Sequence, residues 1–288
     1  MPSRAQHGPR TIVLGTDFSA ASQNALLRAV KIAQHHGATI HVIHAAPRLP
    51  VLLTRKFPAL NGRNQREALA ELVKQIRQAG VPAHSQLVHG NVIKVLTAKA
   101  RAVAADLVVV GARGRAFSDS MIGSTAERLI AMDRHRVLLV RRSAHRPYRD
   151  VLIAANEDSR LKEQVAAAKL LATGAPSVLH AYEIPFESTL IVHGVRGDEL
   201  RRHRVIARRE AALRMAGLVE QAGLRPADLV LRHGTAARVL QRVDRDALLV
   251  LSRGRSAIRH LLLGSVTRSV VAYAFKLCAY NRFHAVIS

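Results

Sequence analysis

The chain has 288 residues, of which 49% are hydrophobic and only 3% aromatic, so its length favours about two ordinary domains with aliphatic cores. Its formal net charge of +24 favours an anionic partner. The basic residues are spread along the whole chain without interleaved aromatic side chains, however, so we do not expect a stacking surface for nucleic acid.

The predicted location is the cytoplasm. Cys278 is the only cysteine, which excludes an internal disulfide and fits a reducing compartment. Residues 1–10 lack the apolar stretch of a signal peptide. The chain also lacks a run of about 18 apolar residues, so we expect no membrane span and no membrane partner.

The first half of the chain predicts alternating strands and helices. Asp17 and Ser19 offer side-chain oxygens that can cap a helix start, and Gly37 suits the helix end. Such alternation is typical of a parallel sheet with helices on both faces. The predicted elements are strand 11–16, helix Ala20–His36, strand Thr39–Ala45, helix Gln65–Ala79, strand Ala83–Val88, helix Val92–Ala104, strand Leu107–Val110, helix Ser124–Met132 and strand Val137–Arg141.

Two landmarks recur at nearly the same offset. The apolar run that begins at Thr11 reappears 140 residues later in the run that begins at Val151, and the segment 122–125 reappears 141 residues later as 263–266. Two independent landmarks with one offset indicate an internal duplication. The predicted domains are therefore 1–146 and 147–288, joined near the polar, proline-containing stretch 143–148.

Two polar stretches follow predicted strands of the first domain, where ligands of parallel sheets bind. Gly15–Ser19 follows the first strand, and Gly111–Gly114 follows the fourth, with Gly123–Thr125 opening a helix. Glycines allow close backbone approach, and a helix start presents free N–H groups that suit phosphate. In this interpretation Arg113 and Arg115 add positive charge. The alternative is that the glycines only turn the chain and that Ser124 caps a helix.

These motifs resemble the universal stress protein family. Its ATP-binding members carry G-x2-G-x9-G-[ST] after the fourth strand, whereas eight residues separate Gly114 from Gly123 here. The opening Thr11–Ser19 and the segment Thr125–Leu129 are also similar to the family. The resemblance implies an α/β fold of two tandem, doubly wound domains, of the adenine nucleotide alpha hydrolase-like type. Each domain is expected to contain a five-stranded, mostly parallel sheet in the order 3-2-1-4-5.

The same resemblance implies an adenine nucleotide as ligand, with ATP as the expected cofactor, bound in the first domain. Adenine and ribose would lie near Gly15, Asp17 and Ala45. The phosphates would contact the glycine motif, at Gly111, Arg113, Gly114, Gly123, Ser124 and Thr125.

The second copy departs further from the family pattern. Asn156 replaces the aspartate, and Leu251 occupies the place of the first glycine, although Gly254 and Gly264 keep the family spacing. Near the C-terminus, Lys276–His284 interrupts the place of the last strand, and only Ala285–Ile287 is strand-like. Terminal strands of this fold pair domains edge to edge, so we expect a homo-oligomer formed through them.

Other chemistry finds little support in the sequence. There is no GxxxxGK[ST] or G-x-S-x-G motif, and His41 and His44 lack companions at metal-ligand spacing. The basic run 201–209 is interpreted as a solvated helix face or, alternatively, as an anion-binding surface. We therefore expect a stress-response module that binds ATP rather than an enzyme, with weak ATP hydrolysis left open. The alternative is a nucleotide-free scaffold or signalling protein that acts through protein partners.

Overall fold

The computed structural model describes residues 8–50, 62–111, 128–129, 135–140, 148, 150–157, 159–172, 174–184, 186–242, 248–251 and 284–287. The chain forms two compact units. The first contains residues 1–148 together with 284–288, and the second contains residues 149–283. The junction lies two residues beyond the predicted one, and the last five residues belong to the first unit instead of the second.

The first unit is built on a central sheet of five parallel strands in the order β3-β2-β1-β4-β5, which the family resemblance implies. The order reverses at β1, which lies between β2 and β4. The strands are β1 (Thr11–Gly15), β2 (Thr39–Ala46), β3 (Ala83–His89), β4 (Leu107–Gly111) and β5 (Val137–Val140). The helices are α1 (Ala20–His36), α2 (Arg63–Gln78) and α3 (Val92–Ala102).

Helix α1 has the predicted bounds because its capping residues act as expected. The Ser19 side chain accepts a hydrogen bond from the Ser22 backbone N–H at 3.2 Å, which satisfies one of the donors at the helix start. Gly37 adopts a left-handed conformation with φ of 65° and ends the helix. The buried side of α1 includes Leu26 and Ile32, and β4 packs in the same core.

The second unit contains a smaller sheet. Among the residues that the structure describes, this sheet has four parallel strands in the order β9-β6-β7-β8, which corrects the prediction of five. The strands are β6 (Val151–Ala154), β7 (Pro176–Tyr182), β8 (Leu229–His233) and β9 (Leu248–Leu251). The helices are α4 (Leu161–Leu171), α5 (Glu187–Val192), α6 (Asp198–Gln221) and α7 (Ala236–Gln241), with a 3-10 turn at Pro226–Asp228.

The last strand of the chain, β10 (His284–Ile287), belongs to the first unit rather than to the second. It runs antiparallel to β5, with Ala285 opposite Leu139 and Ile287 opposite Val137. Backbone pairing with β5 satisfies hydrogen-bonding groups that an edge strand would otherwise leave exposed. The expected homo-oligomer through terminal strands stays a prediction, but β5 already has a partner on this side within its own chain.

The predicted junction between the two domains ends at a buried tyrosine. Tyr148 is only 4% exposed, and the guanidinium carbon of Arg28 in α1 lies 3.9 Å from the centre of its ring. This is close cation–π geometry. Burial raises the pKa of the Tyr148 phenol and lowers the pKa of the Arg28 guanidinium, so the pair consists of a neutral ring and a partly desolvated cation.

Candidate functional site

The predicted site residues of the first unit divide into two groups. Gly15 and Gly111 end the neighbouring strands β1 and β4, Asp17 follows β1, and Ala45 lies in β2. The structure thus places these four at the carboxyl edge of the sheet, around the point where the strand order reverses. The five other predicted residues lie outside the described part of the chain: Arg113, Gly114, Gly123, Ser124 and Thr125.

The turn between β1 and α1 is held by its own side chains. Asp17 Oδ1 accepts hydrogen bonds from the Ser19 backbone N–H at 3.0 Å and from the Ser19 hydroxyl at 2.6 Å. Thr16 Oγ1 accepts a hydrogen bond from the Phe18 N–H at 3.1 Å and donates one to the Ser22 hydroxyl at 3.2 Å. The Asp17 carboxylate is therefore fixed in position at the sheet edge.

This turn contains a residue in an uncommon backbone conformation. Phe18 has φ of 59°, in the left-handed region that non-glycine residues rarely adopt. Such a conformation persists only where surrounding contacts maintain it, and it is enriched at ligand-binding turns. The hydrogen bonds of Thr16 and Asp17 supply part of that support.

His44 of β2 also supports the turn that contains Phe18. Its Nδ1 lies 2.8 Å from the Thr16 carbonyl oxygen, and its ring centre lies 4.6 Å from that of Phe18. Because a carbonyl can only accept, Nδ1 carries the proton and donates this hydrogen bond. The Thr16 N–H in turn donates to the Ile43 carbonyl at 3.0 Å. Strand β2 thus fixes both backbone polar groups of Thr16.

Packing leaves no room for a side chain at Gly111 and little room at Gly15. A Cβ on Gly111 would lie 2.7 Å from the Ala21 carbonyl carbon and 2.8 Å from its oxygen, both in the first turn of α1. A Cβ on Gly15 would lie 3.1 Å from a methyl group of Val110 and 3.2 Å from one of Leu96. The close approach of α1 to the end of β4 therefore accounts for Gly111 without a ligand.

The second unit repeats the histidine contact. The Ala155 N–H donates to the Leu179 carbonyl at 3.0 Å, and Nδ1 of the buried His180 lies 3.0 Å from the Ala155 carbonyl oxygen. Asn156 occupies the place of Asp17. Its Oδ1 accepts a hydrogen bond from the Ser159 hydroxyl at 2.8 Å, so the turn keeps a side-chain contact but loses the negative charge.

The sequence analysis considered His44 only as a metal ligand, although a signal for its contact with the β1–α1 turn was present. Val42–Ala45 reads VIHA and Val178–Ala181 reads VLHA, so the same histidine recurs in both copies. A second repeated signal is the His-Gly pair at the end of the third strand of each copy, where His89 and His233 are the last strand residues. Aligning the two copies beyond the glycine motif would have found both histidines.

His233 takes part in a polar cluster at the carboxyl edge of the second sheet. Its Nε2 lies 2.8 Å from Glu187 Oε2, and its ring centre lies 5.6 Å from that of Tyr182, the last residue of β7. Arg204 of α6 donates to Glu187 Oε1 from Nη2 at 2.8 Å and from Nε at 3.1 Å. In the first unit, His89 instead lies near the Pro47 carbonyl, with 3.3 Å between Nδ1 and the oxygen.

His41 lies apart from this edge. Its ring stacks on His84 of β3, with 5.3 Å between the ring centres. Burial, followed by the charges of Lys99 and His84, lowers the pKa of His41. Within the described residues, no group of three or more His, Cys, Asp or Glu side chains is arranged to hold a metal ion.

Comparison with known protein families also finds two copies of one domain in the chain. The sequence profile of the universal stress protein family matches residues 9–141 and again residues 147–276. The chain belongs to the universal stress protein family. This universal stress protein carries two copies of the family domain in tandem, which confirms the predicted duplication of the fold.

Two curated relatives match about half of this universal stress protein. A universal stress protein of Thermus aquaticus, in the QAH/OAS sulfhydrylase 3′ region, is 35% identical over 138 residues, which are 46% of this chain and 98% of that protein. Universal stress protein A homolog 1 of Coxiella burnetii is 29% identical over 138 residues, 45% of this chain and 94% of that protein.

A solved structure covers nearly the whole chain. The universal stress protein of Archaeoglobus fulgidus superposes with a TM-score of 0.66 at 16% identity, over 96% of this chain and 97% of that one. This likeness shows the fold. None of the helices in the described part of the chain is both long and apolar enough to cross a membrane.

Proposed function

We propose that this universal stress protein is a stress-response module whose first domain binds ATP at the carboxyl edge of β1, β2 and β4. The observation that carries the proposal is the rigid turn after β1. It holds the Asp17 carboxylate at the switch point of a parallel sheet, the place where such folds bind ligands. Ribose hydroxyls are suitable donors to a fixed carboxylate.

The fixed geometry of the turn supports binding because less conformational entropy is lost when a ligand arrives. His44 holds Thr16, and Ser19 holds Asp17, through contacts within the chain itself. A carboxylate can accept about four hydrogen bonds, so holding the turn is compatible with holding a ribose. In this proposal the phosphates contact the glycine motif that includes Gly114 and Gly123.

Equilibrium dialysis with labelled ATP tests the proposal. We expect about one nucleotide per chain, with affinity reduced at least about tenfold by Asp17→Asn, because a hydrogen bond to a charged group is worth about 1.5–3 kcal/mol. Gly123→Val should abolish binding. Asn156→Ala is the matched control in the second domain and should leave the affinity unchanged. Absence of uptake at millimolar ATP would refute the proposal.

A nucleotide-free scaffold is the second candidate, and the packing of Gly111 is the observation that favours it. If α1 alone requires this glycine, part of the motif has a purely structural purpose. A scaffold would show the same urea midpoint with and without ATP. A nucleotide-binding domain would instead gain stability with ligand concentration, by about 2.7 kcal/mol at a hundred times Kd.

We propose that ATP is bound rather than turned over and that the protein acts in the cytoplasm. The Asp17 side chain holds the turn through Ser19, a positioning role rather than that of a general base. Phosphate release should therefore stay at background for the purified protein. Release that persists after Gly123→Val would indicate a contaminating hydrolase, whereas release that the variant abolishes would assign a slow hydrolase to this site.

A further inference from the structure

The second domain contains a cleft on the side of its sheet where α7 packs. The cleft has a volume of about 810 Å³ and is lined by residues of β6, β7, β8 and α7. Its large aliphatic side chains include Leu152, Leu179, Val230 and Val239. Sites for small molecules have volumes of this order and combine an apolar lining with a few polar groups.

The helix over this side of the sheet is shorter than its counterpart in the first domain. Helix α3 has 11 residues and packs on β1 and β2, whereas α7 has six residues and packs on β7. The connection is shorter as well, because β4 begins 18 residues after His89 and β9 begins 15 residues after His233. A helix with five residues fewer covers about 7–8 Å less of the sheet.

The strand residues on this side are more exposed than in the first domain. Thr16 and Ala155 form the equivalent histidine contact, so Leu152 corresponds to Val13, three residues earlier in each copy. Val13 is fully buried, whereas Leu152 is half-buried. Val230 is half-buried as well. Aliphatic side chains of the second sheet are therefore accessible to a ligand.

Charged side chains distinguish the two ends of the cleft. Arg232 is the next-to-last residue of β8 and Asp150 directly precedes β6, so these two lie at opposite ends of parallel strands. Arg242, directly after α7, adds a second cation to the lining. Within the described residues, neither arginine side chain forms an ion pair or a hydrogen bond, whereas His233 already contacts Glu187. The described lining thus carries two unpaired guanidinium groups and one carboxylate.

We propose that this cleft binds an amphipathic carboxylate, a molecule with an aliphatic chain and a single carboxylate head group. The chain packs on Leu152 and Val230, and the head group accepts hydrogen bonds from Arg232 and Arg242, because a guanidinium group matches a carboxylate in geometry and charge. Asp150 repels the head group, so the methyl end of the chain lies toward the amino edge of the sheet. The juxtaposition of an accessible aliphatic cleft with two unpaired arginines carries this inference.

Other ligand classes match the cleft less well. A nucleobase stacks on aromatic side chains, but the described lining includes no Phe, Tyr or Trp. Inorganic phosphate would pair with the arginines but would bury none of the aliphatic surface. An uncharged apolar molecule would cover that surface but would form weaker hydrogen bonds with the guanidinium groups than a carboxylate does. An aliphatic carboxylate uses both features of the cleft.

Equilibrium dialysis of the full chain against labelled hexanoate, octanoate and decanoate tests the proposal. We expect the affinity to rise about two- to fourfold for each added methylene, since complete burial of a CH₂ group is worth about fourfold. Decanoate should therefore bind at least about tenfold more tightly than hexanoate. Decyltrimethylammonium has the same chain with the opposite charge and should displace labelled decanoate at least about tenfold more weakly than unlabelled decanoate does.

Variants of the lining assign the binding to this cleft. Arg232→Gln, Arg242→Gln should weaken decanoate binding about tenfold, at roughly threefold for each exposed arginine. Arg238→Gln is the matched control, because Arg238 is an exposed residue of α7 outside the lining, and it should change the affinity less than about twofold. Ser177→Phe fills the cleft from β7 and should abolish binding. If circular dichroism shows that this variant is unfolded, Val230→Phe fills the cleft from β8 instead.

Four results would overturn the proposal. The first is an absence of decanoate uptake at millimolar concentration. The second is uptake that survives both the filling variant and the double arginine replacement, which would place the ligand elsewhere. Equal losses in Arg238→Gln and in the double replacement would assign binding to net charge. Inorganic phosphate that competes as well as decanoate would make the cleft a site for polar anions.

Discussion

Replacing Gly111 with alanine separates a packing role of the glycine from a ligand-binding role. The added Cβ would lie 2.7 Å from the Ala21 carbonyl carbon, and ordinary contact needs about 3.4 Å. The obstructing atoms are backbone atoms of α1, so no side-chain rotation can relieve the contact. Either α1 or the end of β4 must move.

The expected cost follows from that movement. Inserting one methyl group into a well-packed interior typically destabilises by about 1–3 kcal/mol. The start of α1 also carries Ser19, which holds Asp17, so the displacement should reach the candidate site. We expect faster hydrogen exchange in peptides from α1 and β4 than in those from β3.

Urea unfolding followed by circular dichroism gives the free energy, and hydrogen exchange locates the change. Gly217→Ala is a matched control, because a Cβ there meets no atom within 4 Å in the interior of α6. That control should stabilise its helix by up to about 1 kcal/mol. If Gly111→Ala is as stable as the parent protein and exchange in α1 is unchanged, the packing argument fails, and a ligand becomes the reason for this glycine.

Four further outcomes are expected. Tyr148→Ala should lower the unfolding free energy of the first unit by about 3 kcal/mol or more. In urea titrations, a double-mutant cycle of Tyr148→Ala with Arg28→Met should give a coupling free energy of about 1–2 kcal/mol. Additive effects of the two substitutions would contradict the cation–π contact. The pKa of His41 in the folded protein lies below its ordinary 6.5. The unfolded chain therefore takes up a proton at His41 more readily, and the unfolding free energy should fall as pH drops through 6.5. His41→Gln should flatten the plot of unfolding free energy against pH, and an unaltered plot would show that His41 is not the cause. Ser19→Ala should cost about 1 kcal/mol in thermal unfolding by removing the cap of α1, and no change would show that Ser19 is dispensable. His44→Phe should cost more free energy in ATP binding than in unfolding, because it releases the Thr16 carbonyl. An unchanged affinity for ATP would refute a positioning role of His44.

Local patterns predicted most of the first sheet. Helix α1 has the predicted bounds because Ser19 and Gly37 begin and end the helix through local contacts, which involve only residues close to them in the sequence. The order of the five strands is the one that the family resemblance implies. Several bounds differ by one or two residues. Helix α2 spans Arg63–Gln78 rather than the predicted Gln65–Ala79, and β2 extends to Ala46 because its pairing with β3 continues to His89.

The destination of β10 could not be predicted from the sequence. A four-residue strand fits any free sheet edge, and the pairing of β10 with β5 depends on the folded position of Val137–Val140. The His44 contact was missed for a related reason. Its partner is the backbone carbonyl of Thr16, 28 residues away. Because every residue has a backbone carbonyl, the residue types do not reveal such a contact.

The candidate site was predictable in part. Gly15, Asp17, Ala45 and Gly111 meet at one edge because strands of a parallel sheet end together. The packing reason for Gly111 was hidden, since the sequence gives no distance between β4 and α1. The charge at position 17 and its replacement by Asn156 in the second copy were readable directly.

The pairing of β10 with β5 has a consequence for synthesis on the ribosome. The first domain emerges with β5 at residue 140, yet the strand that covers its edge is made only at residue 284. At about 5–20 residues per second, the nascent chain spends roughly 7–30 s with that edge uncovered. During this interval a neighbouring nascent chain or a chaperone competes for it, so truncation before His284 should favour aggregation during translation.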